Sequence, residues 1–87
     1  VNAVTAIPPD PADDNLFDHR VGRNITLGRK LAGMSQEHLA ELIGKRRTNV
    51  SDWETGRHVP SRTNLLLIAH ALDRDPGWFY QDHAAST

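Results

Sequence analysis

From about Asn15 onward the large apolar residues recur at intervals of three and four, the period of an amphipathic helix. Val21, Ile25, Arg29 and Ala32 fall on one stripe, and Asn24, Leu27 and Leu31 on a neighbouring one. Gly33 is placed to end this helix by taking positive φ. Ser35 then offers a side-chain oxygen to the free amides of a second helix, Gln36 to Ile43. Gly44 stops it, and a third helix runs from about Arg47 to Glu54 before Gly56. Pro60 and Ser61 open a fourth, whose run Leu65, Leu66, Leu67, Ile68, Ala69, Ala71 and Leu72 is expected to fill much of the core. Asp75 and Pro76 make a cap and first turn for a short fifth helix holding Trp78, Phe79 and Tyr80. No run alternates with period two and no repeat is present, so the pattern predicts an all-α bundle of five helices spanning 15–83.

Two segments fall outside that pattern. Residues 1–14 carry Pro8, Pro9, Pro11 and three aspartates with few large apolar groups. Such a stretch buries too little surface to offset its ordering entropy, which predicts an extended or disordered acidic arm. Residues 84–87 read as a short tail. A start at Val1 and an end in Ala84-Ala85-Ser86-Thr87 fit a trimmed or partial product.

Composition narrows the function classes. At 87 residues the chain has room for one modest core and none for a deep cavity between domains. It has no cysteine, which removes disulfide frameworks, thiolate zinc sites and cysteine nucleophiles and fits a reducing compartment. No apolar run approaches the ~18 residues of a membrane span, and no secretory signal opens the chain. A soluble, cytoplasmic protein is the expectation. His19, His38, His58, His70 and His83 form no close-spaced metal motif. Glu37 and Glu41 share a helix face without a partner acid, and no phosphate loop or nucleophile motif occurs. Neither a cofactor nor an enzymatic activity is expected.

Charge points the other way from its average. The net charge is -1, yet residues 1–19 carry -4, residues 20–62 carry +5 and residues 63–87 carry -2. A basic middle between acidic ends points to a polyanionic partner. Arms that enter the minor groove carry Arg or Lys, so the acidic arm is expected to avoid DNA.

The informative spacing is that of Ala40, Gly44, Val50 and Trp53. Two short helices crossing steeply need a small side chain at their closest approach, which Ala40 supplies. The connection between them needs a residue tolerant of positive φ, which Gly44 supplies. Leu39, Ile43, Val50 and Trp53 then point inward. At about 100° per residue, Val50 inward places Thr48 and Asp52 outward, flanked by Asn49 and Ser51. Arg47 begins the helix beside Lys45 and Arg46. Trp53 repeats Val50 at i+3 and reads as core; Trp78, Phe79 and Tyr80 read as core or dimer contact.

In these residues the chain resembles the phage repressor and Cro (XRE) family of helix-turn-helix proteins, found also among bacterial regulators and antitoxins. About 60 of the 87 residues, from Val21 to Tyr80, follow its pattern. They are VGRNITLGRKLAGMSQEHLAELIG, KRRTNVSDWETGRHVPS, TNLLLIAHAL and the closing DPGWF. Ser-Gln at the second helix, the Leu-Ala pair, Gly44, Trp-Glu-x-Gly and the downstream proline occur together. The resemblance implies a lambda-repressor-like fold that binds double-stranded DNA and regulates transcription, as a phage or bacterial repressor.

It also implies residue roles. Arg47, Thr48 and Asp52, with Asn49 and Ser51 beside them, match base-reading positions. Gln36 and Arg57 match phosphate contacts, with His58 and Arg62 as additions. Arg29 and Glu54 match an ion pair between the first helix and the end of the third. Two places depart from the pattern. Lys45 and Arg46 stand where an apolar residue and a small capping residue are usual, which suggests added phosphate contacts at some cost in local stability. Gly28 replaces an apolar residue, which predicts loose packing there.

Chemically, Arg47 can donate two hydrogen bonds to guanine O6 and N7, Thr48 can bond a base edge or pack on a thymine methyl, and ionised Asp52 can accept from cytosine or orient a neighbour. Relatives commonly bind as two-fold dimers, with recognition helices one DNA turn apart. Leu16, Phe17 and the Trp78–Tyr80 segment are the candidate homodimer surfaces. A protein partner, either a toxin or a C-terminal domain, is the alternative class, in which the chain is an antitoxin docking through its acidic Asp10–Asp18 segment. A structural adaptor is a third.

Overall fold

A computed structural model describes residues 11–83, with side chains from His19 onward. Four α-helices follow in order: α1 (Pro11–Leu31), α2 (Gln36–Ile43), α3 (Arg47–Thr55) and α4 (Arg62–Ala71). A 3₁₀ turn, Pro76–Tyr80, closes the chain. No strand occurs among the described residues. The expected fifth helix is therefore a 3₁₀ turn, in which Asp75 Oδ2 accepts from Gly77 N and Trp78 N donates to Asp75 O. α1 begins four residues before the expected Asn15, at Pro11. Proline suits a first helical turn, because the N–H it lacks would have no intrahelical partner there. Residues 1–10 of the expected arm and the tail 84–87 lie outside the described residues.

Local chemistry sets the other boundaries. Gly33 and Gly44 take φ of 72° and 71°. In each case the glycine N–H and the next N–H fold back onto carbonyls of the last turn: Gly33 to Lys30 and Met34 to Arg29, then Gly44 to Glu41 and Lys45 to Ala40. Ser35 Oγ accepts from His38 N at 3.0 Å, and Ser61 Oγ accepts from Asn64 N at 3.1 Å. Pro60 thus precedes the cap and is not part of α4.

α1 packs on α3 and on the 3₁₀ turn, α2 packs on α3 and α4, and α4 touches the 3₁₀ turn. Val21, Ile25, Leu39, Ala40, Ile43, Val50, Trp53, Leu65, Ile68, Ala69, Leu72 and Phe79 make the core. The leucine run of α4 contributes less than expected: Leu65 and Ile68 are buried, while Leu66 and Leu67 are 45% and 40% exposed. A helix offers one side to the core, so four consecutive apolar residues cannot all enter it.

The inward face of α1 also differs from expectation. Leu27 and Leu31 lie on the surface, and Asn24 is buried. Both Asn24 Nδ2 protons are used, one on Phe79 O at 2.8 Å and one on Gln81 O at 2.7 Å. This amide ties the closing segment to α1. Gly28 is not loosely packed. A Cβ there would stand 3.1 Å from Leu72 Cδ1 and 3.3 Å from Trp78 Cζ3, so the Trp78 ring occupies the space a larger residue would need. Trp78 in turn meets the Arg74 guanidinium, 4.6 Å from its centroid, and the stacked His83 ring.

Candidate nucleic-acid interface

α3 is mounted from beneath. Val50 and Trp53 are buried, and Ala40 and Leu39 of α2 are buried with them. Gly44 brings α2 to an end, and Lys45 and Arg46 cross to the start of α3. The helix therefore has one anchored face and one free face, as the inward placement of Val50 requires.

The free face carries the expected residues unevenly. Arg47, Thr48 and Asn49 are exposed, and Ser51 and Asp52 are half-buried. Arg46 stands at the cap position, where a guanidinium has only donors and cannot accept from the first amides. Asn49 instead covers the helix start, its Oδ1 accepting from Arg46 N at 3.1 Å. That bond fixes the Asn49 side chain on the backbone and leaves its Nδ2 protons for other partners. Asp52 lies beside two side chains of the following loop, 4.0 Å from Arg57 Nε and 3.8 Å from His58 Nε2. The ring of His58 adds charge only when protonated.

The turn before α3 and the loop after it are cationic and open. Lys45, Arg46, Arg57, His58 and, at the start of α4, Arg62 are all exposed, in keeping with side chains that do not pack. Ion pairs this open are screened and add little to stability, so the lysine and arginines here remain available to an external anion.

Beneath α3 lies a largely buried ion pair. Arg29 Nε donates to Glu54 Oε2 at 2.7 Å and its NH2 to Glu54 Oε1 at 3.1 Å, a two-bond fork. The third guanidinium nitrogen donates to Met34 O at 2.8 Å. Gln36, expected at a DNA phosphate, donates from Nε2 to Glu54 Oε1 at 2.9 Å. Burial pushes the Glu54 carboxyl up, but the hydrogen bonds from Arg29 and Gln36 and the charge of Arg29 outweigh it. The Thr26 hydroxyl lowers this carboxyl as well. The net result holds Glu54 below its ordinary value of 4.5.

One supporting residue, Gly22, is absent from the sequence-based expectation, and another, Gly56, is expected there only as the end of α3. Gly22 faces the C-terminal carbonyls of α3, where a Cβ would overlap Trp53 O and lie 2.8 Å from Glu54 O. Gly56, at φ 82°, lies under the His19 ring, which a Cβ there would meet at 2.7 Å. A glycine one residue after an inward valine is the available signal for the first of these.

A short helix held on its apolar face, with a polar outer edge between cationic segments, is the architecture of a helix-turn-helix DNA-binding domain. Residues 27–79, more than half of the chain, match the helix-turn-helix family model. The chain belongs to that family, in its phage repressor and Cro (XRE) branch.

Multiprotein-bridging factor 1 of Eremothecium gossypii is 40% identical over 56 residues, which are 64% of this chain and 37% of that protein. The HTH-type transcriptional regulator y4aM of Sinorhizobium fredii is 35% identical over 71 residues, 82% of this chain and 50% of that one. The chain thus spans half or less of the length of these relatives. Among solved structures, the restriction-modification controller protein C.AhdI from Aeromonas hydrophila is similar with a TM-score of 0.74 and 34% identity, over 78% of this chain and 99% of that one. The P22 c2 repressor, in complex with a synthetic operator, gives 0.67 at 27% identity over 71% and 94%.

Proposed function

We propose that the chain binds double-stranded DNA sequence-specifically as a transcriptional regulator of the repressor type, with α3 in the major groove. The observation that carries this reading is the N-terminal half of α3: Arg47 and Thr48 stand exposed on a helix whose opposite face is fixed by buried Val50 and Trp53. Kinship with a helix-turn-helix regulator and likeness to an operator-bound repressor support it.

In this reading Arg47 and Thr48 read base edges, with Asn49 Nδ2 and Ser51 beside them. Asp52, beside Arg57 and His58, orients those side chains in preference to accepting from cytosine. Gln36, Lys45, Arg46, Arg57, His58 and Arg62 hold phosphates along both sides of the groove. The domain works on DNA in the cytoplasm and performs no catalysis. Among the described residues, no helix is long and apolar enough to cross a membrane.

The regulator acts as a two-fold dimer, its recognition helices one DNA turn apart. Of the aromatic segment weighed as a dimer surface, Phe79 is fully buried and Trp78 is packed, so Tyr80 is its exposed member. The Leu16 and Phe17 side chains lie outside the described residues. The antitoxin alternative draws no comparable support, since it rests on Asp10–Asp18, whose side chains also lie outside them.

Selection of bound duplexes from a random DNA pool, with sedimentation of the free and bound chain, tests the reading at its root. No enriched sequence would defeat it. On the selected duplex, Arg47→Ala is expected to remove ~1–3 kcal/mol of discrimination between that duplex and a scrambled one. Arg57→Ala is expected to weaken both duplexes alike and to lower the salt slope by about 1. An unchanged specificity ratio in Arg47→Ala would remove that residue from the base-reading set.

A further inference from the structure

We infer that Glu54, through the Arg29–Glu54 pair, is the positioning residue for the Gln36 contact to the DNA backbone, an inference that rests on the proposed phosphate role of Gln36. An isolated glutamine in the first turn of a helix has a long, rotatable side chain that loses freedom on engaging a ligand. Here that loss is already met. Nε2 has two protons, and one of them is directed at Glu54 Oε1 at 2.9 Å. Fixing one proton sets the plane of the amide and the direction of the second, which is left to donate to a phosphate oxygen. Preorganisation of this kind raises affinity without adding a contact.

The charge arrangement serves the same end. A carboxylate near a phosphate site repels the ligand unless it is neutralised. The Glu54 side chain is 6% exposed, and Arg29 forks onto both of its oxygens. The pair thus offers Gln36 an acceptor without a free negative charge beside the DNA. Glu54 also stands in the last turn of α3, so the same carboxylate links the end of the recognition helix to the start of α2. Phosphate grip and base-reading helix are held in one frame by a single side chain.

The test is a coupling measurement on the duplex selected from the random pool. Gln36→Ala is expected to weaken binding roughly tenfold in the natural background, the worth of one hydrogen bond to a charged group. In the charge-free pair Arg29→Met/Glu54→Leu, which leaves no buried charge unpaired, the same substitution is expected to cost less than about twofold. A full tenfold loss in that background overturns the positioning role while leaving the phosphate contact standing. No loss in the natural background overturns the phosphate contact and the positioning role with it.

A second readout does not depend on any variant folding. In the DNA-free chain, the Gln36 side-chain amide signals in NMR spectra are expected to shift as Glu54 is protonated, in step with its carboxyl. Signals indifferent to that titration overturn the proposal.

Discussion

Glu54→Ala is expected to destabilise the folded chain by about 3–5 kcal/mol, the usual cost of removing one partner from a buried ion pair. The Arg29 side chain is only 12% exposed, so its guanidinium would lose two charge-assisted bonds without gaining water in exchange. Its bond to Met34 O would hold the unpaired charge in place. Gln36 would lose its acceptor as well. A small domain has ~5–15 kcal/mol of stability in all, so this one change approaches the threshold of unfolding. The double change Arg29→Met/Glu54→Leu removes both charges and is expected to be far milder, because paired burial costs desolvation on both sides.

The pH dependence follows from the direction of the Glu54 shift. Its carboxyl titrates below 4.5 in the folded chain, so the folded state favours the ionised form. That contribution is fully present above the unfolded value and is lost as pH falls through the lower folded one. Urea unfolding followed by circular dichroism from pH ~7 to pH ~3 is expected to show a falling midpoint in the natural chain, and a flatter curve in the charge-free pair. Equal acid sensitivity in the two would place the loss on other carboxylates.

What the sequence made legible was what short-range chemistry decides. Gly33, Gly44 and Gly56 end helices by taking positive φ, and Ser35, Ser61 and Asp75 cap the elements that follow, all within a few residues of the feature they control. The burial of Val50 and Trp53 with Thr48 outward followed from helical period alone. Asn24 was not legible as a polar anchor, since its partners Phe79 and Gln81 lie more than fifty residues away. Gly28 looked like a gap because the ring that fills it comes from Trp78. Leu65 to Ile68 carry no internal break, so only the neighbouring helices determine which of them point inward. At the site the same division holds: which residues stand on α3 was readable, whereas the ties of Asn49 to Arg46 N and of Gln36 to Glu54 depend on geometry across a turn or between helices.

Gly22→Ala is expected to be among the most damaging single-methyl changes in the chain, and to act on DNA binding as well as on stability. A Cβ at this position overlaps Trp53 O and lies 2.8 Å from Glu54 O and 3.1 Å from Glu54 C. These are backbone atoms, so no rotamer change relieves the contact; the end of α3 must move away from α1. That movement carries with it buried Trp53 and the Glu54 carboxylate on which Arg29 and Gln36 converge. The roughly 1 kcal/mol that alanine gains over glycine inside a helix is too small to offset it. A net loss of about 2–3 kcal/mol is expected, towards the upper end for overpacking. Gly33→Ala is the comparison that separates space from backbone strain: its φ is 72° but nothing lies within 4 Å of the added carbon. It is expected to lose ~1–2 kcal/mol from the left-handed conformation alone and to keep its DNA affinity once folded. Thermal unfolding and operator titration, the latter well below the melting temperature of each variant, distinguish the two. If Gly22→Ala binds DNA as the natural chain does while folded, the close approach of α1 sets stability only and not the aim of the recognition helix.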